Sequence, residues 1–379
     1  MRVLILSVTA GGGHQAAADA ISDELQAHDV NTVVLDIYKY INRFIYDAID
    51  KGYTLSTRYA SDVYRIFYQF IENRHKRPTL VQYDPVSMVN TLLALRFERF
   101  TDNFEPDCIV CTHPLAAQIV NGLKARGKIA APVIGIITDF TILPYWEDCT
   151  DIEYIVVANE LLYYRAMKKG IAQERILPFG IPIKSKFAQS IHRPEARRQL
   201  GLLLDQPAAL LISGSMGHGD MAEMVREILA NSLELQLVVV CGKNKRLFNQ
   251  LVSMNGDSQK TERLMVFDYT DQVDLLMDAV DCIVTKPGGL TVSEALAKRL
   301  PMILVSPIPG QEERNTEFLL NIGAALHVTK TFSLDEAIFF LFSNPGRLRI
   351  MKESIDMISK PKSAKTLADF ILGLPSSER

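Results

Sequence analysis

Short apolar runs, rich in β-branched residues, recur along the chain and alternate with stretches of helical periodicity. In the first half they are Val3–Val8, Thr32–Leu35, Cys108–Cys111 and Val133–Ile137. In the second half they are Ala209–Ile212, Leu237–Val240, Met265–Phe267, Cys282–Val284 and Met302–Val305. Runs so short and so uniformly apolar suit strands covered on both faces, as in a parallel sheet. Ala18, Ile21 and Leu25 repeat at helical spacing, and Val273–Val280 predicts a helix between two strands of the second set. The alternation predicts an α/β fold in two halves. Phe179-Gly180-Ile181-Pro182-Ile183, followed by a polar stretch through His192, Arg193 and Pro194, interrupts it and marks a bend. The expected division is a first domain over 1–187, a linker over 188–204, a second domain over 205–355, and a segment over 356–379 ending in a helix that packs back toward the first domain.

Each half opens with a strand that runs into glycines. The first loop is Thr9-Ala10-Gly11-Gly12-Gly13-His14, and the second is Ser213-Gly214-Ser215-Met216-Gly217-His218-Gly219. Neither has the GxxxxGK[ST] or GxGxxG spacing, which sets aside kinase and dehydrogenase readings. Two doubly wound, Rossmann-like domains facing across a cleft, each with a glycine loop at its carboxyl edge, describe the GT-B arrangement of nucleotide-sugar glycosyltransferases.

The segment DCIVTKPGGLTVSEALAKRLPMILVSPIPGQEERNTEF, residues 281–318, reads as strand, glycine turn, helix, strand and polar loop. Gly288 and Gly289 let the chain turn into a helix whose first amides stay unpaired, and such amides suit a diphosphate. Thr291 and Ser293 can add hydroxyl donors, Glu294 can accept from a ribose diol, and Lys286 faces either a phosphate or solvent. Gln311 and Glu312 follow the next strand. In the first half, His14 falls at a helix start, where the dipole favours a neutral ring able to deprotonate or orient a hydroxyl; the alternative is a histidine that only caps its helix. His113, after the strand ending at Cys111, faces the same edge or packs in a loop. Asp139 ends another strand as a base, a histidine partner or a turn residue.

Composition narrows the partners. The chain has 379 residues, 48% hydrophobic and 22% charged, with a formal net charge of -3, which argues against a general nucleic-acid binder. Cys108 and Cys111 have C-x-x-C spacing but sit on an apolar strand, so they read as buried thiols in a reducing compartment. No apolar run reaches transmembrane length, and no Asp-x-Asp sequence or His/Cys spacing calls for a metal. No cofactor is expected. Between Tyr38 and Pro78 the chain is rich in Tyr, Phe, Arg and Lys. Tyr64, Phe67 and Tyr68 share a helical face, with Arg65, Arg74, Lys76 and Arg77 nearby, which fits either contact with an anionic membrane surface or an aromatic core.

The motifs GGGHQAAADAI, THP at 112–114, VIGIITDF, FGIPI, ISGSMGHGDM, VVVCGKN and KPGGLTVSEALAKRLPMILVSPIPGQEERN, in that order, resemble the monogalactosyldiacylglycerol synthase and bacterial diacylglycerol glucosyltransferase family. The resemblance spans nearly the whole chain. It implies inverting, metal-independent transfer of a hexose from a UDP-sugar, UDP-glucose or UDP-galactose, to a glycerolipid such as 1,2-diacylglycerol, giving a β-glycolipid. It implies a peripheral enzyme at the cytoplasmic face of the membrane and sets no oligomeric state. By motif position Gly214 and Ser215 border the diphosphate, and the backbone around Phe267, Tyr269 and Thr270 meets the uracil. Gly288, Gly289 and Thr291 hold phosphates, Glu294 the ribose, and Gln311 and Glu312 the hexose. His14 sits beside the acceptor with Gly12, Gly13 and His113, and Asp139 supports or performs base catalysis. One departure stands out: Leu143 and Pro144 occupy the place where relatives carry a histidine after the Thr-Asp pair. Two other classes share the plan, a UDP-sugar 2-epimerase and a non-catalytic nucleotide-sugar sensor.

Overall fold

A computed structural model describes residues 1–8, 12–41, 97–212, 221–231, 234–256 and 258–375. The chain divides into two compact units. The first comprises Met1–Ser185, Pro309–Gln311 and Lys362–Arg379; the second comprises Lys186–Ile308 and Glu312–Pro361.

The first unit is a parallel sheet of β1 (Arg2–Ser7), β2 (Asn31–Asp36), β3 (Cys108–Cys111), β4 (Val133–Ile136), β5 (Tyr154–Val156) and β6 (Ile176–Leu177), in the order β2-β1-β3-β4-β5-β6. Its helices include α1 (Gly13–Gln26), α2 (Ile37–Ile41), α3 (Pro114–Lys124), α4 (Pro144–Glu147) and α5 (Glu160–Lys168). Alternation along each strand divides the core. Val3 and Ile5, with Cys108 and Val110, pack on Ala18, Ile21 and Leu25 of α1. Leu4, Leu6, Ile109 and Cys111 are just as buried and point to the opposite face. Gly135 in β4 has a space-filling reason: a β-carbon there would lie 2.6 Å from the buried Trp146 ring.

The second unit carries α6 (Arg193–Leu200), β7 (Ala208–Ile212), α7 (Met221–Ala230), β8 (Gln236–Val240), α8 (Lys245–Met254), β9 (Leu264–Phe267), α9 (Val273–Ala279), β10 (Cys282–Thr285), α10 (Gly289–Ala297), β11 (Met302–Leu304), α11 (Gln311–Ile322), β12 (Ala325–His327), α12 (Leu334–Phe342) and α13 (Pro345–Ile358). Gln311 alone of α11 clusters with the first unit. The sheet is again parallel, in the order β12-β11-β10-β7-β8-β9. The last helix, α14 (Ser363–Leu372), returns to the first unit, where Leu367, Ala368 and Ile371 join the α1 side of its core.

The expected linker over 188–204 is instead part of the second unit. Its helix α6 is fastened by Arg197, whose side chain is 5% exposed. Arg197 donates to the carbonyls of Ala279, Leu204 and Gln206 at 2.9, 2.7 and 2.9 Å, and to Asp281 Oδ2 at 2.7 Å. Arg193 takes the other Asp281 oxygen at 2.5 Å. Asp278, paired with a buried Lys298 at 2.7 Å, accepts the Ile191 amide at 3.1 Å. A buried guanidinium with this many carbonyl partners fixes a segment rather than releasing it as a hinge. Truncating Arg197 to Ala takes the guanidinium donor from four backbone carbonyls and from one oxygen of Asp281. Equilibrium urea unfolding should show a loss of about 3–5 kcal/mol, whereas a loss below about 1 kcal/mol would make the network incidental.

Candidate functional site

In a doubly wound sheet, ligands bind beyond the carboxyl ends of the strands where the order reverses. In the first unit the reversal falls between β1 and β3, and in the second between β7 and β10. The chain leaves these four strands at residues 8, 112, 213 and 286, so the glycine loops and both candidate histidines follow from topology.

In the first unit Gly12 adopts φ 75°, left-handed backbone that favours glycine, as the residue capping α1. His14 therefore enters the first turn of α1 on the β1 side, and His113 caps α3 on the β3 side. The rings meet edge to face, with centroids 4.6 Å apart. Their tautomers are set by backbone groups in opposite senses. His14 Nδ1 lies 2.6 Å from the Thr112 carbonyl, which can only accept, so Nδ1 carries the proton. Thr138 Oγ1 lies 3.1 Å from the same nitrogen. Both hydrogen bonds of His14 thus fall on Nδ1, and Nε2 keeps a lone pair. His113 Nδ1 accepts the Leu115 amide at 3.2 Å, which puts its proton on Nε2.

Burial lowers the pKa of His14, against the opposing pull of the Asp139 carboxylate and the Thr112 carbonyl. Burial pushes His113 well below its ordinary value, and the neighbouring His14 charge adds to that. Both rings are neutral near pH 7, and His14 can take up a proton at Nε2. Asp139 follows the loop after β4 and accepts from Gln311 Nε2 at 3.3 Å, within the same unit. Gln311, expected among hexose contacts, thus orients this carboxylate. Leu143 is buried at the entry to α4, with Pro144 in the first helical turn. The five cysteines are buried and unpaired, and burial pushes the thiols of Cys108, Cys149 and Cys241 up to about 12, which removes thiolate chemistry at neutral pH.

In the second unit β10 delivers Lys286, Pro287 and Gly288 to the start of α10. Gly288 caps the helix with φ -70°, backbone open to any residue, and has no side-chain cap. The turn does not require glycine, contrary to the expectation from its Gly-Gly sequence. A β-carbon at 288 would meet nothing nearer than Glu312 Oε1 at 4.0 Å. What glycine does here is leave the first amides of α10 uncovered, the condition for receiving an anion. Lys286 pairs with no carboxylate among the described residues. Thr291 and Glu294 lie half-buried in the first and second turns of α10. Ser293 is a correction: its hydroxyl turns back to the Gly289 carbonyl at 2.8 Å and is spent inside the helix.

Helix α11, beyond the loop that follows β11, braces this turn. Asn315, fully buried, donates to the Pro287 carbonyl at 3.0 Å, a role that spacing alone did not reveal. Glu312 Oε2 accepts the Ile308 amide at 2.6 Å, and Ser306 holds a left-handed φ of 45°, strain of the kind that collects at binding loops. At the edge strand β9 the Phe267 carbonyl is taken by the Cys241 amide at 2.9 Å. A base could therefore meet only the backbone beyond it, where Thr270 Oγ1 accepts the Gln272 amide and Tyr269 stands 60% exposed. Gly214 and Ser215, and the segment with Tyr64, Arg65, Phe67, Tyr68, Arg74, Lys76 and Arg77, lie outside the described residues. Among the described residues no group of three or more His, Cys, Asp or Glu side chains could hold a metal ion.

Two doubly wound units of six parallel strands, each with its open turns at the order reversal, define the GT-B plan of glycosyltransferases. MurG of Acinetobacter baumannii superposes with a TM-score of 0.62 at 15% identity, covering 98% of this chain and 99% of that one. The UDP-GlcNAc 2-epimerase of Neisseria meningitidis, bound to UDP-GlcNAc, superposes at 0.59 and 14% identity over 99% and 100%. At such identities the likeness is one of fold. Sequence carries further: residues 14–183 match the family model for monogalactosyldiacylglycerol (MGDG) synthase, and residues 208–367 match the glycosyltransferase family 28 C-terminal domain. Proteins named processive diacylglycerol beta-glucosyltransferase from Bacillus cereus (strain G9842) and Bacillus thuringiensis (strain Al Hakam) are each 30% identical to it. In the first case the match covers 98% of this chain and 93% of the relative. The chain belongs to this diacylglycerol glycosyltransferase family.

The histidine pair makes a pH prediction. Both pKa values are lowered on folding, so the unfolded chain takes up protons near pH 6.5 that the folded chain refuses. Stability is fully present above that pH and falls below it, by up to about 1.4 kcal/mol per pH unit for each ring. Urea unfolding at pH 7.5 and 5.5 should show a loss that shrinks in His113→Asn; an equal loss in wild type and variant would place the linkage elsewhere.

Proposed function

We propose that this protein transfers a hexose, most consistently glucose, from a UDP-sugar to the free hydroxyl of 1,2-diacylglycerol with inversion, forming a β-glycolipid. The observation that carries the mechanism is the His14 tautomer: Nδ1–H bound to the Thr112 carbonyl, and a basic Nε2. In this reading His14 Nε2 takes the acceptor proton as the acceptor oxygen attacks the anomeric carbon. Its lowered pKa keeps the ring unprotonated at neutral pH, the state a general base needs. Asp139 stabilises the imidazolium that forms, since its charge already favours protonated His14. The second unit holds the donor. The bond from the anomeric carbon to the diphosphate breaks as negative charge collects beside the first amides of α10 and Lys286, and Glu294 binds the ribose diol.

Glucose rather than galactose follows the names of relatives that match almost end to end, while the family model for the first unit carries the galactose name. The epimerase reading rests only on fold at 14% identity, and 30% identity along nearly the whole chain with transferases outweighs it. A sensor would have no use for a histidine locked as a base.

Incubating the protein with UDP-hexoses and diacylglycerol vesicles, then weighing the lipid fraction by mass spectrometry, should show lipid-dependent UDP release and a hexose-sized gain. A converted UDP-sugar without a lipid product would make it an epimerase. Glu294→Ala should weaken UDP binding by about 1–3 kcal/mol, while His14→Ala keeps UDP affinity and lowers turnover by about two to four orders of magnitude; the reverse pattern would exchange their roles.

The same reading assigns the leaving charge to helix amides and a lysine, so no divalent ion is required. EDTA should leave turnover unchanged. A loss restored by Mg²⁺ or Mn²⁺ would put a metal into the reaction.

A further inference from the structure

The open end of α10 is suited to an anion, yet a carboxylate is held beside it. Glu312 lies in the first turn of α11, and with Asn315, three residues on, it shares the helix face turned toward the entry of α10. Two contacts fix that face. Asn315 donates to the Pro287 carbonyl at 3.0 Å, and Glu312 Oε1 lies 4.0 Å from the position a β-carbon would take on Gly288, the residue that caps α10. The other oxygen, Oε2, accepts the Ile308 amide at 2.6 Å, which ties the side chain to the loop after β11. Gln311 gives its amide to Asp139 and clusters with the first unit, whereas Glu312 begins the part of α11 that belongs to the second. Glu312 is half-buried, and a charge so placed is screened less than one in open water.

We infer that Glu312 discriminates between the two nucleotides of the reaction, accepting the UDP-sugar and driving off UDP. The inference rests on the donor-site reading and deepens it. Helix amides and a lysine that hold a diphosphate also hold the departing nucleotide, and slow release of product limits many enzymes. With the hexose bound, the sugar separates carboxylate from diphosphate, and its hydroxyls can donate to Oε1. As the bond at the anomeric carbon breaks, its electron pair stays on the β-phosphate oxygen, the acceptor oxygen takes the carbon, and the acceptor proton passes to His14. The nucleotide gains one negative charge and loses the group that kept Glu312 at a distance. Like charges brought together in a half-buried site repel, so the carboxylate selects against the product without opposing the substrate to the same degree.

The test uses the full chain and two variants. Glu312→Gln keeps the shape and one acceptor oxygen but removes the charge; Glu312→Asp keeps the charge but is too short to hold the Ile308 amide. Circular dichroism melting checks that each folds as the wild type does, and titration calorimetry with UDP and with UDP-glucose reads the two affinities separately. Glu312→Gln should bind UDP about fivefold or more tightly than wild type, with UDP-glucose bound no more tightly than before. Glu312→Asp should keep UDP affinity within about twofold. Unchanged or weaker UDP binding by Glu312→Gln would overturn the inference. So would an equal gain for both nucleotides, since the charge would then act on any diphosphate, and so would equal tightening by both variants, since the loop would then be responsible. Failure of the wild type to bind either nucleotide would defeat the donor-site reading and this inference with it, whereas the other outcomes bear on Glu312 alone.

Discussion

Two neighbouring parallel strands whose crossovers leave toward opposite faces of the sheet cannot both be roofed by their own helices. The space beyond their carboxyl ends stays open, and backbone groups there must find partners other than the ladder. This constraint operates in both units, between β1 and β3 and between β7 and β10. In the first unit the Thr112 amide continues the pairing with the Leu6 carbonyl at 2.9 Å, while the Thr112 carbonyl turns to His14 Nδ1. The ring's protonation pattern is thus set by the point at which the sheet stops.

The two reversals are finished with different chemistry. In the first unit two half-buried imidazoles are kept neutral by burial and pointed by backbone groups, an arrangement suited to moving one proton. In the second unit the open end of α10 is left without a side-chain cap, and the buried Asn315 holds its entry turn from helix α11. Uncapped amides and a lysine suit a group that gains negative charge as a bond breaks. Under the proposed function the base belongs to the first unit and the anion site to the second.

The longer strands were legible because both faces of a parallel sheet are buried and their sequences are almost wholly apolar. β5, β6 and β12, with three, two and three residues, gave no such run and were not foreseen. His14, His113, Asp139 and Gly288 were read as residues that follow strand ends, and Glu294 as one of the helix beyond; how they are held was not legible. The His14 tautomer depends on a carbonyl 98 residues away, and Ser293 was read as an outward donor although its hydroxyl returns to its own helix. Arg197 sits in RPEARRQL, which reads as a solvated helix, and only its contact with Asp281, 84 residues distant, makes it internal. Local pattern reports periodicity and turn chemistry. Partners brought together by topology lie beyond it.

The central claim is that His14, held as the Nδ1–H tautomer, is the base that activates the acceptor. Its most direct measurement is the pH dependence of kcat/KM for transfer to diacylglycerol in wild type and in Thr138→Val, which removes the second group at Nδ1 without touching Nε2. The account predicts an acid limb below pH 6.5 in the wild type, with the limb shifted and the plateau lowered in the variant while UDP affinity is unchanged. A limb in the same place with the same plateau in both proteins would contradict it, because the group that titrates during catalysis would then not be His14.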